Sequence, residues 1–385
     1  MSPAPRRGRT GVPPAPLTSR DPAPSPESPR RPAPPEGRAP AGSVTLRTRG
    51  GRIALRWDRR TVAVCLGLLA VLAAAAVVAI GTGTYEIVPA DVLRTLLGEG
   101  TRAQEFAVQT LRLPRVLTAL LAGAALGAAG AVFQSLSRNP LGSPDIVGFT
   151  TGASTGALIQ IIVLGGGMVA VATGALLGGL ATSLVVYLLA FRGGVEGYRL
   201  ILVGIAVNGG LVAANTYLVA RAEFADAHIA VTWMTGNLNG RSWEHVWLLL
   251  LTLVPLMAWT LWLGGRLRMM EMGDEAAVSL GVRVERSKLA LMLAGVALTA
   301  MATVAGGPIP FVALAAPQLA RRLTGATGPG PMASALMGAT LLLVCDLAAQ
   351  RVIEPSQLPV GVMTGSLGGT YLVWLLLHEW RRSRG

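Results

Sequence analysis

Four groups of residues have types and spacings that point to work beyond packing. Arg112 and Arg115 flank Leu113-Pro114 at the mouth of an apolar run. Guanidinium is always charged and grips a carboxylate through two parallel bonds, so such a pair suits recognition of an acidic surface, with plain anchoring at a membrane–water interface as the rival role. Asn208 and Asn215 stand seven apart, two turns of one helix face, inside another apolar run. Their amides could touch a hydrated polar substrate or bond a neighbouring helix. Thr364, Gly365, Ser366, Gly368 and Gly369 give a helix a smooth, weakly polar wall, which suits passage better than capture. The fourth group is a charged island, Gly264–Lys288, between two long apolar runs. It carries Arg266, Arg268, Glu271, Gly273, Asp274, Glu275, Ala276, Leu280, Gly281 and Val282, then Arg283, Glu285, Arg286 and Lys288, the only lysine of the chain.

Other chemistries find no residues to carry them. A phosphate-cradling loop ends in Gly-Lys-Ser/Thr, and Lys288 lies between Ser287 and Leu289. No cofactor is therefore expected on this chain. His228, His245 and His378 are scattered, and Cys65 and Cys345 sit inside apolar runs as buried thiols. Asp346 is the only acid within the spans. An ion-coupled carrier keeps several such groups as a relay, so a structural role near a helix end suits Asp346 better.

The elements that must position these residues follow from composition. Of 385 residues 52% are hydrophobic and 14% charged, against about 25% charged in soluble domains. With apolar runs of span length, this is an all-α polytopic membrane protein. The formal charge of +13 is concentrated in residues 1–60, which hold 13 arginines against four acids. It therefore says little about nucleic acid, and none is expected as a partner. Residues 1–40 also carry 13 prolines, so residues 1–60 read as a disordered Pro/Arg-rich tail, or as an arm on anionic headgroups.

About ten spans are expected within a permease-sized domain, 61–380: near 62–80, 113–134, 146–164, 168–191, 200–219, 246–263, 289–305, 308–320, 332–350 and 358–377. The second, small residues from Ala122 to Ala131, lets neighbours approach from every side and should be central. The eighth, with three prolines in 13 residues, is too short for a crossing of about 20 and reads as broken or re-entrant. Short external helices are expected after Pro89 and within 221–243. With both termini cytoplasmic, the inner loops and basic C-terminal end (381–385) hold 13 basic residues and the outer loops 7, in line with the positive-inside bias.

Set side by side, Arg112-Leu113-Pro114-Arg115, Asn139-Pro140-Leu141, the run Gly306–Leu314 with Pro317, and Asp346 with Leu358-Pro359-Val360-Gly361 carry a family likeness. With Leu280-Gly281-Val282, they resemble the permease family of ABC importers for iron-siderophores, haem and cobalamin, the FecCD type, over roughly residues 60–380. The resemblance implies a ten-helix subunit of the cell membrane that pairs with a second permease, the same or different. It also implies two cytoplasmic ATPases, which bind the ATP and Mg, and an external binding protein that delivers the cargo. On it, Gly273–Val282 would be the coupling segment held by the ATPase, and Arg112 and Arg115 would meet carboxylates of the binding protein. Spans five and ten would line the pathway, with Asn208, Asn215, Thr364 and Ser366 on it, and Gly193–Arg199 would lie at its gate. Three positions depart from the pattern: Gln350 replaces an arginine, with Arg351 one place on, Gln318 replaces a histidine, and Gln357 a glutamate. A ferric siderophore is the expected cargo, cobalamin or haem the alternative. An ion-gradient carrier and a non-transporting scaffold are the readings from other classes.

Overall fold

The computed structural model describes residues 43–47, 54–83, 85–191, 197–326, 328, 330–353 and 357–382. The expectations for residues 1–42, for the Gly193-Gly194 pair and for the last three residues fall outside them. Within the stretch expected to be disordered, β1 (Ser43–Arg47) and β2 (Ala54–Asp58) pair as a two-stranded sheet. Val44 and Leu46, then Leu55 and Trp57, alternate with polar residues around Gly50-Gly51, a strand–turn–strand pattern masked by the proline-rich composition before it.

A helix stands at each of the ten expected spans. Among the described residues, seven are long and apolar enough to cross a membrane: α1 (Arg59–Gly81), the run 102–137, α6 (Met168–Ala190), 201–221 within α7 (Gly197–Arg221), α9 (Trp243–Glu271), α11 (Val284–Gly306) and α13 (Pro331–Arg351). The run 102–137 joins α3 (Arg102–Glu105), a π-helical stretch Phe106–Arg112 and α4 (Leu113–Ser137). The third span is shorter, α5 (Phe149–Leu158) prolonged by a π-helical turn to Val163. The eighth is α12 (Val312–Thr324), 13 residues, and the tenth is α14 (Val360–Arg382). The short helices expected after Pro89 and within 221–243 are α2 (Pro89–Leu96) and α8 (Phe224–Met234).

The island departs most from expectation. Its first eight residues continue α9 to Glu271, because Arg266, Leu267, Arg268, Met269 and Met270 are good helix formers that carry a helix past the end of an apolar run. Only Met272-Gly273 and 280–283 then flank the six-residue α10 (Asp274–Ser279) before α11 begins.

α4 sits at the centre, packed on α9, α11, α12 and α13, and most of its span is buried. Glycine makes this possible. A Cβ on Gly130 would lie 1.8 Å from the Ala313 carbonyl oxygen, and one on Gly127 2.1 Å from that of Ser334, so the backbones meet directly. By contrast α1, α7 and α9 leave most of their apolar surface uncovered.

Candidate functional site

Arg115 opens α4 and Arg138 follows its end, about 35 Å apart along the axis. At the Arg115 end, Nε and Nη2 donate to the two oxygens of Asp346 on α13, each at 2.9 Å, and Nη1 donates to Gln357 Oε1 at 2.9 Å. Gln350 Nε2 adds a further bond to Asp346 at 2.9 Å. The Arg115 side chain is 13% exposed and that of Asp346 fully buried. Arg112 is also occupied, donating to the Ile80 and Tyr85 carbonyls at 2.7 and 2.5 Å, with its guanidinium filling the space beside Gly83. The guanidinium expected from Arg115 at a docking face is instead turned inward, because Asp346 would otherwise be an unpaired buried charge. Arg351 is exposed and holds Thr82 Oγ1 at 3.0 Å. Two of the three departures thus have work here, Gln350 and Gln357 completing the Arg115–Asp346 cluster. The third, Gln318, donates to the Pro140 carbonyl at 2.7 Å and ties α12 to the Asn139–Gly142 turn.

At the other end, Gly273 enters α10 at φ 121°, a left-handed value that favours glycine. Ala277 is buried against Leu263, Leu267, Met270, Val284 and Leu291. Glu275, Val278, Ser279, Leu280 and Gly281 face outward, and Met272, Val278 and Leu280 are each about 60% exposed. Asp274 accepts from Arg138 at 2.6 Å and from Lys288 at 2.8 Å. Ser135 donates to Glu271 at 2.8 Å. Sequence reading missed Arg138 altogether, since its partner lies 136 positions away.

The residues expected on a pathway divide. Asn208 accepts from the Thr151 hydroxyl of α5, and Asn215 Nδ2 reaches the Thr151 carbonyl at 3.5 Å, so the shared face predicted from their spacing turns toward α5. Thr364 is buried and donates to the Gly361 carbonyl. Gly361 and Gly368 are packing glycines, against Thr235 and Phe311, while Gly369 and Ser366 remain open. In the turn before α5, burial raises the Asp145 carboxyl above its ordinary value, partly offset by the Thr150 hydroxyl that donates to it.

Comparison with known proteins fits this arrangement. The model of the FecCD transport family matches residues 69–378. The ferric enterobactin transport system permease protein FepG of Escherichia coli (strain K12) is 46% identical over 84% of this chain and 98% of its own length. The iron(3+)-hydroxamate import system permease protein FhuG of Bacillus subtilis (strain 168) is 35% identical, over 78% of this chain and 92% of its own length. A solved structure, an inward-facing conformation of a metal-chelate type ABC transporter, superposes with a TM-score of 0.73 at 27% identity, covering 82% of this chain and 99% of that one. The chain belongs to the FecCD transport family.

Proposed function

We infer that this chain is the membrane-spanning permease of an ATP-binding-cassette importer for ferric siderophores. It makes and breaks no bonds itself; ATP hydrolysis belongs to separate subunits. The observation that carries this reading is α10. Val278, with Met272 and Leu280 just before and after the helix, presents an apolar knob with Glu275 beside it, and the helix is too short to enter a bilayer. Such a patch beside charged residues marks a protein-binding surface, and a nucleotide-driven subunit seated there would explain it. The siderophore cargo is supported by the relatives named for ferric enterobactin transport and iron(3+)-hydroxamate import.

With the excess of basic residues inside, α10 and both termini are cytoplasmic and the Arg115 end faces outward. A second permease, a copy or a paralogue, covers the open faces of α7 and α14, where Leu202, Ile205, Val212 and Leu367 are exposed. The pathway then runs between subunits, past Ser366 and the open Gly369, Gly209 and Gly210. Asn208, Asn215 and Thr364 shape it from behind. An external binding protein docks at the outer end, with Arg351 and the partly exposed Arg112 as its basic contacts, and two ATPases sit beneath.

Uptake of ferric enterobactin into vesicles holding the chain with its ATPase and binding protein tests the reading. Uptake should require ATP and survive an uncoupler. Uptake by the chain alone, abolished by the uncoupler, would replace it with an ion-gradient carrier. ATP-driven uptake of cobalamin or haem in place of the siderophore would keep the mechanism and change the cargo.

A further inference from the structure

The coupling helix is fastened to the bundle by one carboxylate that two helices share. Asp274 heads α10. Its Oδ1 accepts from Arg138 Nη2 at 2.6 Å and its Oδ2 from Lys288 Nζ at 2.8 Å. Arg138 follows α4 in a left-handed conformation, φ 49°, which a non-glycine residue adopts only when held there. The same Nη2 donates to the Met270 carbonyl in the last turn of α9 at 3.0 Å. Lys288 belongs to α11, and its side chain is only 15% exposed. One polar cluster therefore gathers the end of α4, the last turn of α9, the start of α10 and the first turns of α11. The apolar seat of α10 on these helices is small, with Ala277 its only buried residue. A sideways load on the outer face of α10 would slide on so small a seat, whereas two charge-assisted bonds from different directions resist it.

We propose that Arg138 and Lys288 are positioning residues that transmit movement of α10 to α4 and α11, through the Asp274 carboxylate they share. The proposal rests on the reading of α10 as the ATPase seat. α4 is where transmission has most effect, since it touches α9, α11, α12 and α13 and cannot slip past α12 and α13, whose backbones its glycines meet. Neither cation belongs to α10; Lys288 is mostly covered while Arg138 is 51% exposed beside it, so ATPase co-purification is read in each variant to separate seating from transmission. Their loss should leave a seated, ATP-consuming partner that no longer moves the bundle.

The test uses the full chain with Cys65→Ala, Cys345→Ala and Ser366→Cys, assembled with its ATPase in vesicles. Three quantities are read: ATPase co-purification, ATP hydrolysis, and the ATP-dependent change in maleimide labelling at position 366. None needs a known cargo. For Arg138→Gln and for Lys288→Gln, co-purification and hydrolysis should stay within about twofold of the parent, while the labelling change falls about tenfold. Arg138→Lys should recover part of it, and adding Arg138→Gln to Asp274→Asn should cost little more than Asp274→Asn alone, because the carboxylate that both cations hold is already gone. A labelling change equal to the parent's in both Gln variants overturns the proposal. Loss of ATPase binding in step with the labelling change also overturns it, since the cations would then serve seating. If the parent chain itself captures no ATPase, the reading of α10 fails first, and that outcome is visible before any variant is made.

Discussion

Arg115 and Asp346 meet across α4 and α13 through two bonds of equal length, 2.9 Å, although 231 positions separate them. The pair is asymmetric in exposure, Asp346 being fully buried and Arg115 13% exposed. Breaking a buried pair costs about 3–5 kcal/mol, mostly from the charge left behind. Arg115→Met strands the buried carboxylate and should fall in that range. Asp346→Asn strands a guanidinium that retains Gln357 and reaches water, so it should cost less. Arg115→Met with Asp346→Leu should recover most of the loss. Apparent Tm in detergent checks the order. A stable Arg115→Met protein that had merely lost docking would return Arg115 to the outer surface.

The glycines of α4 make a second, sharper prediction. Gly130→Val places atoms where the Ala313 carbonyl stands, 1.8 Å from the new Cβ. A backbone carbonyl in a packed helix cannot swing aside, so α4 and α12 must part, at a cost of about 3 kcal/mol or more. Gly264, inside α9, meets nothing within 4 Å. Gly264→Ala should stabilise by about 0.5–1 kcal/mol through the unfolded chain and helix propensity. Thermal unfolding of the two variants should move in opposite directions.

These two sites mark what the sequence could and could not reveal. The spans were legible because apolar runs of fixed length answer to bilayer thickness, and the central place of α4 because small residues cover all its faces. The ends of elements were not, since α9 runs on through charged residues that favour helix as well as apolar ones do. Partners across the fold were invisible: nothing near Arg115 announces Asp346, and nothing near Asp274 announces Arg138. The glycines of α14 looked alike in sequence, yet Gly368 lies against Phe311 and Gly369 against nothing. Their roles depend on which neighbours the tertiary structure supplies.

The knob on α10 should be separable from its seat. Val278 and Leu280 are each about 60% exposed, so Val278→Asp with Leu280→Asp should leave insertion and Tm near wild type. Burying an aliphatic side chain in an interface is worth about 1.5–3 kcal/mol, so losing two predicts a drop of at least 100-fold in ATPase affinity. Ala277→Leu should act differently, overfilling the buried seat and lowering Tm as well. Binding of the ATPase to solubilised permease, measured beside thermal stability, distinguishes the two. Unchanged affinity in the double Asp variant would remove α10 as the contact.

Docking at the outer end should answer to Arg351. It is exposed, and among the described residues its bond to the Thr82 hydroxyl at 3.0 Å leaves donors available to an incoming carboxylate. Arg351→Glu should therefore slow association of the binding protein, by about tenfold at low salt and much less at 0.5 M salt, because exposed charges are screened within about 10 Å at 0.1 M. Tm should hardly change. Arg115→Glu would behave in the opposite way, placing a second carboxylate against buried Asp346 and lowering Tm at every salt concentration. An association rate indifferent to Arg351→Glu at low salt would move the docking surface away from the end of α13.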